Sequence, residues 1–285
     1  MGVFSIGAAM HLKWVLITGC STGIGRALAR VCREYGWGVV ATARDLGSLA
    51  DLAEGPNLRK VRLDVTDPDS IQSAVREAED LPLHALVANA GYGQMGPLEM
   101  LRPEEIRLQF ETNVIGLQVV TNAFLPLIRR CRDGEGRIVY VASVLGRLSI
   151  PMAGAYNASK HAVVALAETL RLEIGRRIPV ILVEPGSVRS EFRSTLARAL
   201  GDMPERTEGT AYHGAVFHHA NRKENPDSAR GLGSDECAKR IFDAMNAEHP
   251  PRRVIIGADS WWGQLAHRIV PAPLWEYILR RKFGL

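Results

Sequence analysis

The stretch Trp14-Val-Leu-Ile-Thr-Gly-Cys-Ser-Thr-Gly-Ile-Gly25 joins a short apolar run to three closely spaced glycines. The spacing of the apolar residues that follow, Ala27, Leu28 and Val31, is typical of a helix. The predicted order is therefore strand, glycine turn, helix. Such a turn lets the backbone approach a phosphate, and the free N–H groups at the helix start attract an anion. The same turn can also be purely structural.

The composition fits one large globular domain. The chain has 285 residues, of which 46% are hydrophobic and 23% are charged, so it can bury a full core. The net charge of +4 suits an anionic cofactor, and no basic run interleaved with aromatic residues marks a nucleic-acid partner. The four cysteines form no CxxC pair, which favours a reducing, cytoplasmic setting. No metal is expected, because His213, His218 and His219 lack companion ligands at suitable spacing.

Strand and helix patterns alternate along residues 14–257. This alternation predicts an α/β, Rossmann-like, doubly wound sheet of about seven parallel strands with helices on both faces. Ligands bind beyond the carboxyl ends of the strands in such a sheet. The predicted strands are 14–18, 37–43, 59–63, 84–88, 136–142, 179–183 and 252–256, and a long helix is predicted over residues 103–130.

One catalytic domain is predicted over residues 14–257, after a leader over residues 1–13. Residues 194–233 are irregular in pattern, which is typical of a substrate lid. A helix from Ser234 to Ala247, capped by Ser234, is predicted to follow. The amphipathic tail over residues 258–285 can pack within or between subunits, cap the cleft or rest on a membrane surface, and packing is favoured over the other two.

Tyr156 and Lys160 are four residues apart and lie on one face if their segment is helical. An ammonium close to a phenol favours the phenolate, because an opposite charge lowers the phenol's pKa from its ordinary value of about 10. Tyr156 could then donate and accept a proton near neutral pH. A chance pairing on a helix is the alternative.

Arg44 bears on the choice of cofactor, since it follows the predicted strand 37–43. At this place in a dinucleotide-binding fold, an acidic residue accepts from the 2′-OH of the adenine ribose, whereas a basic one pairs with a 2′-phosphate. Ala43 and Arg44 therefore favour NADP(H) over NAD(H). A solvated surface arginine is the alternative, and the neighbouring Asp45 weakens the prediction.

Together these motifs resemble the short-chain dehydrogenase/reductase family in its compact form, over residues 14–257. The glycine turn and the apolar tail are most similar to the branch that includes 17β-hydroxysteroid and retinol dehydrogenases. The motifs that carry the resemblance, in chain order, are Thr18-Gly19-Cys20-Ser21-Thr22-Gly23-Ile24-Gly25, Asp64-Val65, Asn89-Ala90-Gly91, Asn113, Ser143, Tyr156-x-x-x-Lys160 and Pro185-Gly186.

The resemblance implies a role for each motif. Tyr156 would be the general acid/base, and Ser143 would hydrogen-bond the substrate oxygen. Lys160 would bind the nicotinamide ribose, while Asn113 would hold a water that relays protons. At Ser190 the family often has threonine, and serine keeps the hydroxyl. The implied cofactor-binding residues are Gly19, Ser21, Thr22, Gly23, Ile24, Gly25, Arg44, Asp64, Val65, Asn89, Ala90, Gly91, Tyr156, Lys160, Pro185, Gly186, Val188 and Ser190.

The predicted substrate contacts are Met95, Leu145, Met152 and Phe192, an apolar set that suits a lipophilic carbonyl or alcohol. The expected function is NADP(H)-dependent interconversion of a ketone or aldehyde and an alcohol by hydride transfer. The alternatives are a non-catalytic NADP(H)-binding sensor and a reductase of small polar carbonyls or 3-oxoacyl thioesters. By analogy with the family, a homodimer or homotetramer is expected.

Overall fold

Seven parallel strands form the central sheet of the protein, which is described by a computed structural model of residues 12–132, 134–220 and 231–285. The strands are β1 (Trp14–Ile17), β2 (Gly38–Ala43), β3 (Leu58–Arg62), β4 (Leu83–Ala88), β5 (Arg137–Val141), β6 (Val180–Pro185), β7 (Val188–Arg189), β8 (Leu232–Gly233) and β9 (Arg253–Ile256). The sheet order is β3-β2-β1-β4-β5-β6-β9, while β7 and β8 pair separately. This confirms the predicted doubly wound sheet, with strand ends displaced by at most two residues.

The inner strands are buried along their whole length, which explains their continuous apolar runs. Successive side chains point to opposite faces of the sheet. Leu16 and Val40 therefore enter one core, whereas Ile17 and Ala41 enter the other. Each face needs its own cover of helices.

Helices cover both faces. Helices α1 and α9 pack against each other over the core that contains Ile17, and residues of α2, α4 and α5 complete the core that contains Leu16. The helices are α1 (Gly23–Glu34), α2 (Pro68–Ala78), α3 (Pro103–Phe110), α4 (Leu117–Ile128), α5 (Gly154–Ile174), α6 (Phe192–Leu200), α7 (Met203–Arg206), α8 (His213–Ala220), α9 (Ser234–Asn246), α10 (Ala258–Ile269) and α11 (Ala272–Phe283).

The helical stretch predicted over residues 103–130 is confirmed from Pro103 to Ile128, but it is not α-helical throughout. A π-helical turn, Glu111–Gly116, separates α3 from α4. A Cβ atom added to Gly116 would lie 2.6 Å from the carbonyl oxygen of Val65, so this turn packs closely against the end of β3. Such turns often lie at functional sites, and this one carries Asn113.

The irregular stretch predicted over residues 194–233 is instead largely helical where the structure describes it, as α6, α7 and α8. These helices complete a third core, which contains Met95, Met152, Leu200, Met203 and Val216. Residues 221–230 lie outside the described residues.

The predicted capping of α9 by Ser234 is also wrong. Gly233 occupies the cap position, and the Ser234 hydroxyl donates to the Arg189 carbonyl oxygen at 2.8 Å. The hydroxyl therefore ties the helix start to β7.

The tail forms two helices. α10 packs on β9 and on the 3₁₀ turn Val144–Gly146, and the buried Ser260 hydroxyl donates to the Glu184 carbonyl oxygen at 3.2 Å. No helix in the described ranges is long and apolar enough to cross a membrane.

Candidate active site

The glycine turn after β1 is fixed by contacts that only glycine allows. Gly19 has a φ of 72°, and a Cβ atom added to Gly25 would lie 2.3 Å from the Gly19 carbonyl oxygen. The Cys20 amide donates to the Thr42 carbonyl oxygen at 2.7 Å, which ties the turn to β2. Helix α1 therefore starts directly against the turn, as the glycine spacing predicted.

Thr18 locks this turn to the loop after β4. Its hydroxyl oxygen accepts from the amides of Asn89 and Ala90 at 2.9 and 2.8 Å. In return, the Asn89 side-chain amide donates to the carbonyl oxygens of Thr18 and Gly19 at 2.9 and 3.2 Å. No role was predicted for Thr18 from the sequence, although its place directly after an apolar strand could have indicated a position at the site.

The start of α1 is free to receive an anion. The cap residue Thr22 makes no side-chain capping bond, and the first turn holds no acidic residue. Both features leave the backbone N–H groups and the positive end of the helix dipole at Gly23 available to an anion. Ser190 lies beside this turn, 3.4 Å from a Cβ atom added to Gly23. Ser21, Ile24 and Ser190 are thereby gathered at the same turn.

Arg44 is exposed at the end of β2, and in the described chain no carboxylate lies within ion-pair distance of it. The neighbouring Asp45 is occupied: its carboxylate accepts from the Gly47 amide at 2.9 Å and caps the 3₁₀ turn Leu46–Leu49. The Asp45 carboxylate is therefore held by its own turn.

Asp64 follows β3 on the same edge, next to the buried Val65. Burial raises the pKa of the Asp64 carboxyl, but hydrogen bonds from Thr66 and the charges of Arg44 and Arg62 outweigh burial and hold this pKa below its usual value. Its Oδ1 atom accepts from the Thr66 amide and hydroxyl at 2.9 and 2.8 Å. Asp64 is therefore a fixed anion in the predicted adenine region.

Helix α5 places Tyr156 and Lys160 on its buried face, as their spacing predicted. Ser143 follows Ala142 just beyond β5, and its side chain lies close enough to the Tyr156 hydroxyl to lower the pKa of that phenol. The Lys160 Nζ atom donates to the Val141 carbonyl oxygen at 2.9 Å and lies 5.8 Å from the centre of the Tyr156 ring. Three of the four predicted catalytic groups thus meet at the carboxyl end of β5.

The acidities differ from the expectation that Lys160 lowers the pKa of Tyr156. Burial raises the pKa of Tyr156 to about 12, although the hydrogen bond with Ser143 acts in the opposite direction. Burial also lowers the pKa of Lys160 to about 8. The loss of hydration therefore dominates both groups, and near neutral pH the phenol keeps its proton while the amine stays mostly charged.

Asn113 lies beside this group, and its side chain is fully engaged. Its amide donates to the Tyr92 carbonyl oxygen and the Ser159 hydroxyl at 2.9 and 3.2 Å, and its Oδ1 atom accepts from the Tyr92 amide at 3.1 Å. A Cβ atom added to Gly91 would lie 3.0 Å from that oxygen. Asn113 therefore joins the loop after β4 to α5, and its part in a proton relay stays a prediction.

The predicted substrate residues fall into two groups. The Phe192 ring lies 5.8 Å from the Tyr156 ring, whereas Met95 and Met152 belong to the third core below α6 to α8. The backbone amide of Leu145 donates to the Ser143 hydroxyl oxygen at 3.2 Å. That any of these four touches substrate stays a prediction.

Leu196, within the predicted lid, and Gly93 also lie near Tyr156. A Cβ atom added to Gly93 would lie 2.5 Å from Leu196 Cδ2 and 3.4 Å from Tyr156 Cδ2, so α6 packs close to the Tyr156 ring. The available signal was the spacing of Phe192 and Leu196, four residues apart on one face of a helix.

The loop after β6, which is predicted to lie beside the nicotinamide, is hydrogen-bonded to β9 and to the tail. The Gly186 amide donates to the Ile256 carbonyl oxygen at 2.8 Å, and the Ser187 amide donates to the Asp259 carboxylate at 2.6 Å. Pro185 ends β6, and Val188 begins β7.

Glu184 anchors this loop from inside the protein, a role that the sequence did not suggest. Its carboxylate is fully buried and accepts from Arg147 Nε at 3.0 Å and from Arg253 Nε at 2.6 Å. Gln264 of α10 donates to the same carboxylate at 3.3 Å. A buried charge needs such partners, and here they connect β6, β9 and the tail.

Comparisons with known proteins agree with this geometry. The model of the short chain dehydrogenase family matches residues 13–200. The uncharacterized oxidoreductase YbbO of Escherichia coli is 31% identical over 272 residues, which cover 94% of each chain. The 3-ketodihydrosphingosine reductase of Bacteroides thetaiotaomicron is 36% identical over 254 residues, covering 87% of this chain and 89% of the relative.

Solved structures show the same fold. A short-chain dehydrogenase from Streptomyces avermitilis superposes with a TM-score of 0.75 at 30% identity, covering 94% of this chain and 98% of the other. One from Burkholderia cenocepacia, in complex with NADP, gives 0.73 at 25% identity, covering 94% and 98%. One from Burkholderia phymatum, in complex with NAD, gives 0.73 at 27% identity, covering 92% and 95%. The chain belongs to the short-chain dehydrogenase/reductase family and is an oxidoreductase.

Proposed function

We propose that the protein interconverts a lipophilic ketone or aldehyde and its alcohol with NADP(H), using Tyr156 as the general acid/base. The observation that carries this proposal is the meeting of the buried Tyr156, Ser143 and Lys160 at the carboxyl end of β5, where Lys160 Nζ lies 5.8 Å from the centre of the Tyr156 ring. When bound, the nicotinamide supplies or accepts the hydride. The glycine turn, the uncapped start of α1 and Arg44 are suited to hold its phosphates.

The side chains of the site then stabilise the developing charge and transfer the proton. During reduction, negative charge develops on the substrate oxygen, where the hydroxyls of Ser143 and Tyr156 donate hydrogen bonds. Because the pKa of Tyr156 is raised to about 12, the phenol still carries its proton at neutral pH and can transfer it to that oxygen.

Substitution of Tyr156 by Phe tests this function. We expect Tyr156→Phe to lower turnover by about 10²- to 10⁴-fold, with a much smaller change in NADPH affinity, because the proton donor is lost while the glycine turn and Arg44 are kept. NADPH consumption is measured with steroid, retinoid and long-chain aliphatic carbonyls, and Tyr35→Phe, at an exposed site, serves as the matched control. An undiminished rate in Tyr156→Phe contradicts the mechanism.

The same panel tests the substrate class. Support for a lipid-like ketone comes from the relative named as a 3-ketodihydrosphingosine reductase and from the apolar residues around Tyr156. Turnover confined to small polar carbonyls or 3-oxoacyl thioesters would overturn the lipophilic assignment. NADPH binding without turnover of any carbonyl would favour the sensor.

NADP(H) preference is proposed on the basis of Arg44, since similar structures hold either NADP or NAD. We expect Arg44→Asp to lower the ratio of kcat/KM for NADPH over NADH by about 10- to 100-fold, as charged hydrogen bonds contribute about 1.5–3 kcal/mol. Arg129→Asp makes the same charge change at the exposed end of α4 and should not alter this ratio of kcat/KM values. Equal efficiency of both cofactors in the unmutated protein contradicts the proposal.

A homodimer or homotetramer in the cytoplasm is also proposed. Support comes from Leu108, Ile115 and Val119, which are exposed along α3, the π-helical turn and α4 at spacings typical of one helical face. Light scattering of the purified protein tests the assembly, and a monomer at all concentrations contradicts it.

A further inference from the structure

The two tail helices carry large apolar side chains on their outer surface. Trp261, Trp262 and Ile269 of α10 are 49%, 62% and 69% exposed. Leu274 and Tyr277 of α11 are 51% and 59% exposed. Isolated exposed apolar residues are ordinary, but a cluster of aromatic and aliphatic side chains in one segment indicates an interaction surface.

Helix α11 faces the protein with a different stripe. Trp275, Leu279 and Phe283 recur every four residues and are half-buried, and Phe283 packs against the third core. With 100° of rotation per residue, Leu274 and Tyr277 lie on the opposite side. One apolar stripe of α11 therefore packs on the protein, and a second stripe points outwards. The exposure of Leu274 and Tyr277 is thus not explained by incomplete burial of the packed stripe.

Cations flank the displayed residues. Arg268 lies in the last turn of α10, and Arg280, Arg281 and Lys282 lie in the last turn of α11. Over the described ranges none of these four has a carboxylate within ion-pair distance. Arg280, Arg281 and Tyr277 also line a surface depression, where Arg281 donates to the Tyr277 hydroxyl at 3.4 Å.

We infer that the exposed apolar side chains of α10 and α11, together with the four cations, bind the anionic surface of a lipid bilayer. This set, here called the tail face, consists of Trp261, Trp262, Ile269, Leu274, Tyr277, Ile278 and the four cations. Tryptophan and tyrosine rings are favoured at the level of the lipid headgroups, and arginine and lysine are attracted to anionic lipids. This inference goes beyond the proposed function and does not depend on which carbonyl is reduced.

A second copy of the chain fits the tail face less well. In a two-fold symmetric contact the same patch meets itself, which would bring Arg280, Arg281 and Lys282 towards their own copies. Like charges in such a contact repel each other, and the described part of the patch offers only Glu276 in α11 as a compensating acid. A bilayer with anionic headgroups supplies the missing negative charge.

Vesicle co-sedimentation of the full chain tests the inference. We expect binding to vesicles of phosphatidylcholine mixed with phosphatidylglycerol, little binding to phosphatidylcholine alone, and weaker binding at high salt. The triple variant Arg280→Gln/Arg281→Gln/Lys282→Gln should lower the partition coefficient by about 100-fold, since each cation contributes roughly fivefold. Arg129→Gln/Arg130→Gln/Arg132→Gln removes the same charge beyond α4 and should leave it unchanged.

Tryptophan fluorescence provides an independent test of the aromatic residues. Trp14 and Trp37 are buried, so a blue shift on vesicle binding and quenching by brominated lipid should come from the tail and be strongly reduced in Trp261→Ala/Trp262→Ala. Three results would overturn the inference: no binding to phosphatidylglycerol vesicles at low salt, equal loss of binding in both triple variants, or self-association through the tail face without vesicle binding.

Discussion

The cofactor half, residues 14–91, and the α6–α8 helices are held in contrasting ways. In the cofactor half, close glycine contacts and main-chain bonds such as that from Cys20 to Thr42 fix the turn, and the Thr18 and Asn89 side chains bond to its backbone atoms. The α6–α8 helices are held by side chains: Gln94 donates to the Ala199 carbonyl oxygen at 2.7 Å, and Arg206 pairs with Glu105 at 2.9 Å.

This difference bears on function. A turn built from backbone contacts accepts few residue types and keeps one geometry for one class of cofactor. Helices held by side-chain pairs and a methionine-rich core can be repacked by substitution, because methionine fills irregular space and ion pairs are exchangeable. We therefore expect cofactor binding and substrate choice to respond to different mutations.

Gly25→Ala should break the cofactor half and give the largest effect on stability. The added Cβ atom meets the Gly19 carbonyl oxygen and the Asn89 amide, so the turn must open, at a cost of about 2–3 kcal/mol. We expect NADPH affinity to fall about tenfold or more in a fluorescence titration. Gly214→Ala, in α8, meets no atom within 4 Å and is the matched control. Unchanged NADPH affinity in Gly25→Ala would contradict the account.

Lys160→Met should abolish activity and yet stabilise the fold. Burial lowers the pKa of Lys160 from 10.5 to about 8, which corresponds to about 3 kcal/mol. Losing the bond to Val141 offsets about 1 kcal/mol of this, so we expect a net gain of about 2 kcal/mol at pH 7 in a urea unfolding experiment.

The lowered pKa of Lys160 also fixes how the stability of the protein changes with pH. Between pH 8 and 10.5 the unfolded chain binds more protons at Lys160 than the folded chain, so the stability of the unmutated protein rises with pH in that window. The advantage of Lys160→Met should therefore be complete below about pH 8 and disappear as the pH rises. Lys239→Met, at an exposed pair with Asp243, should show no such gain. A loss of stability in Lys160→Met would refute the assigned charge.

Arg206→Gln should loosen the α6–α8 helices and leave the cofactor half intact. Arg206 pairs with Glu105 and also donates to the Met100 carbonyl oxygen, so we expect a loss of about 1 kcal/mol and a several-fold rise in KM for the carbonyl. Arg240→Gln removes an exposed pair on α9 and should cost less. A weaker NADPH affinity in Arg206→Gln, with KM for the carbonyl unchanged, would contradict the expectation that the α6–α8 helices affect substrate choice and not cofactor binding.

The contrast between the two regions also explains what the sequence predicted. The parallel sheet followed from buried apolar strands, and the site around Tyr156 followed from motifs at the strand ends. The π-helical turn at Asn113 was not predictable by periodicity, because it depends on the close contact of Gly116 with Val65. The acidity of Tyr156 was missed because burial sets it, and burial is a tertiary property.

The α6–α8 helices were missed for a related reason. Glycine, proline and polar residues between them resemble an irregular loop, and their packing depends on Met95 and Met152, distant in sequence. Likewise, the partners of Glu184 come from a turn, a strand and the tail, and no local pattern joins them.

The most direct test of the central claim follows the hydride. NADPH carrying deuterium at both C4 positions of the dihydronicotinamide is incubated with the protein and a lipophilic ketone, and the alcohol is analysed by mass spectrometry. We predict that deuterium is found on the carbinol carbon, and that Tyr156→Phe forms the same product far more slowly. Bound NADPH that transfers no deuterium to any carbonyl in the panel would contradict the claim.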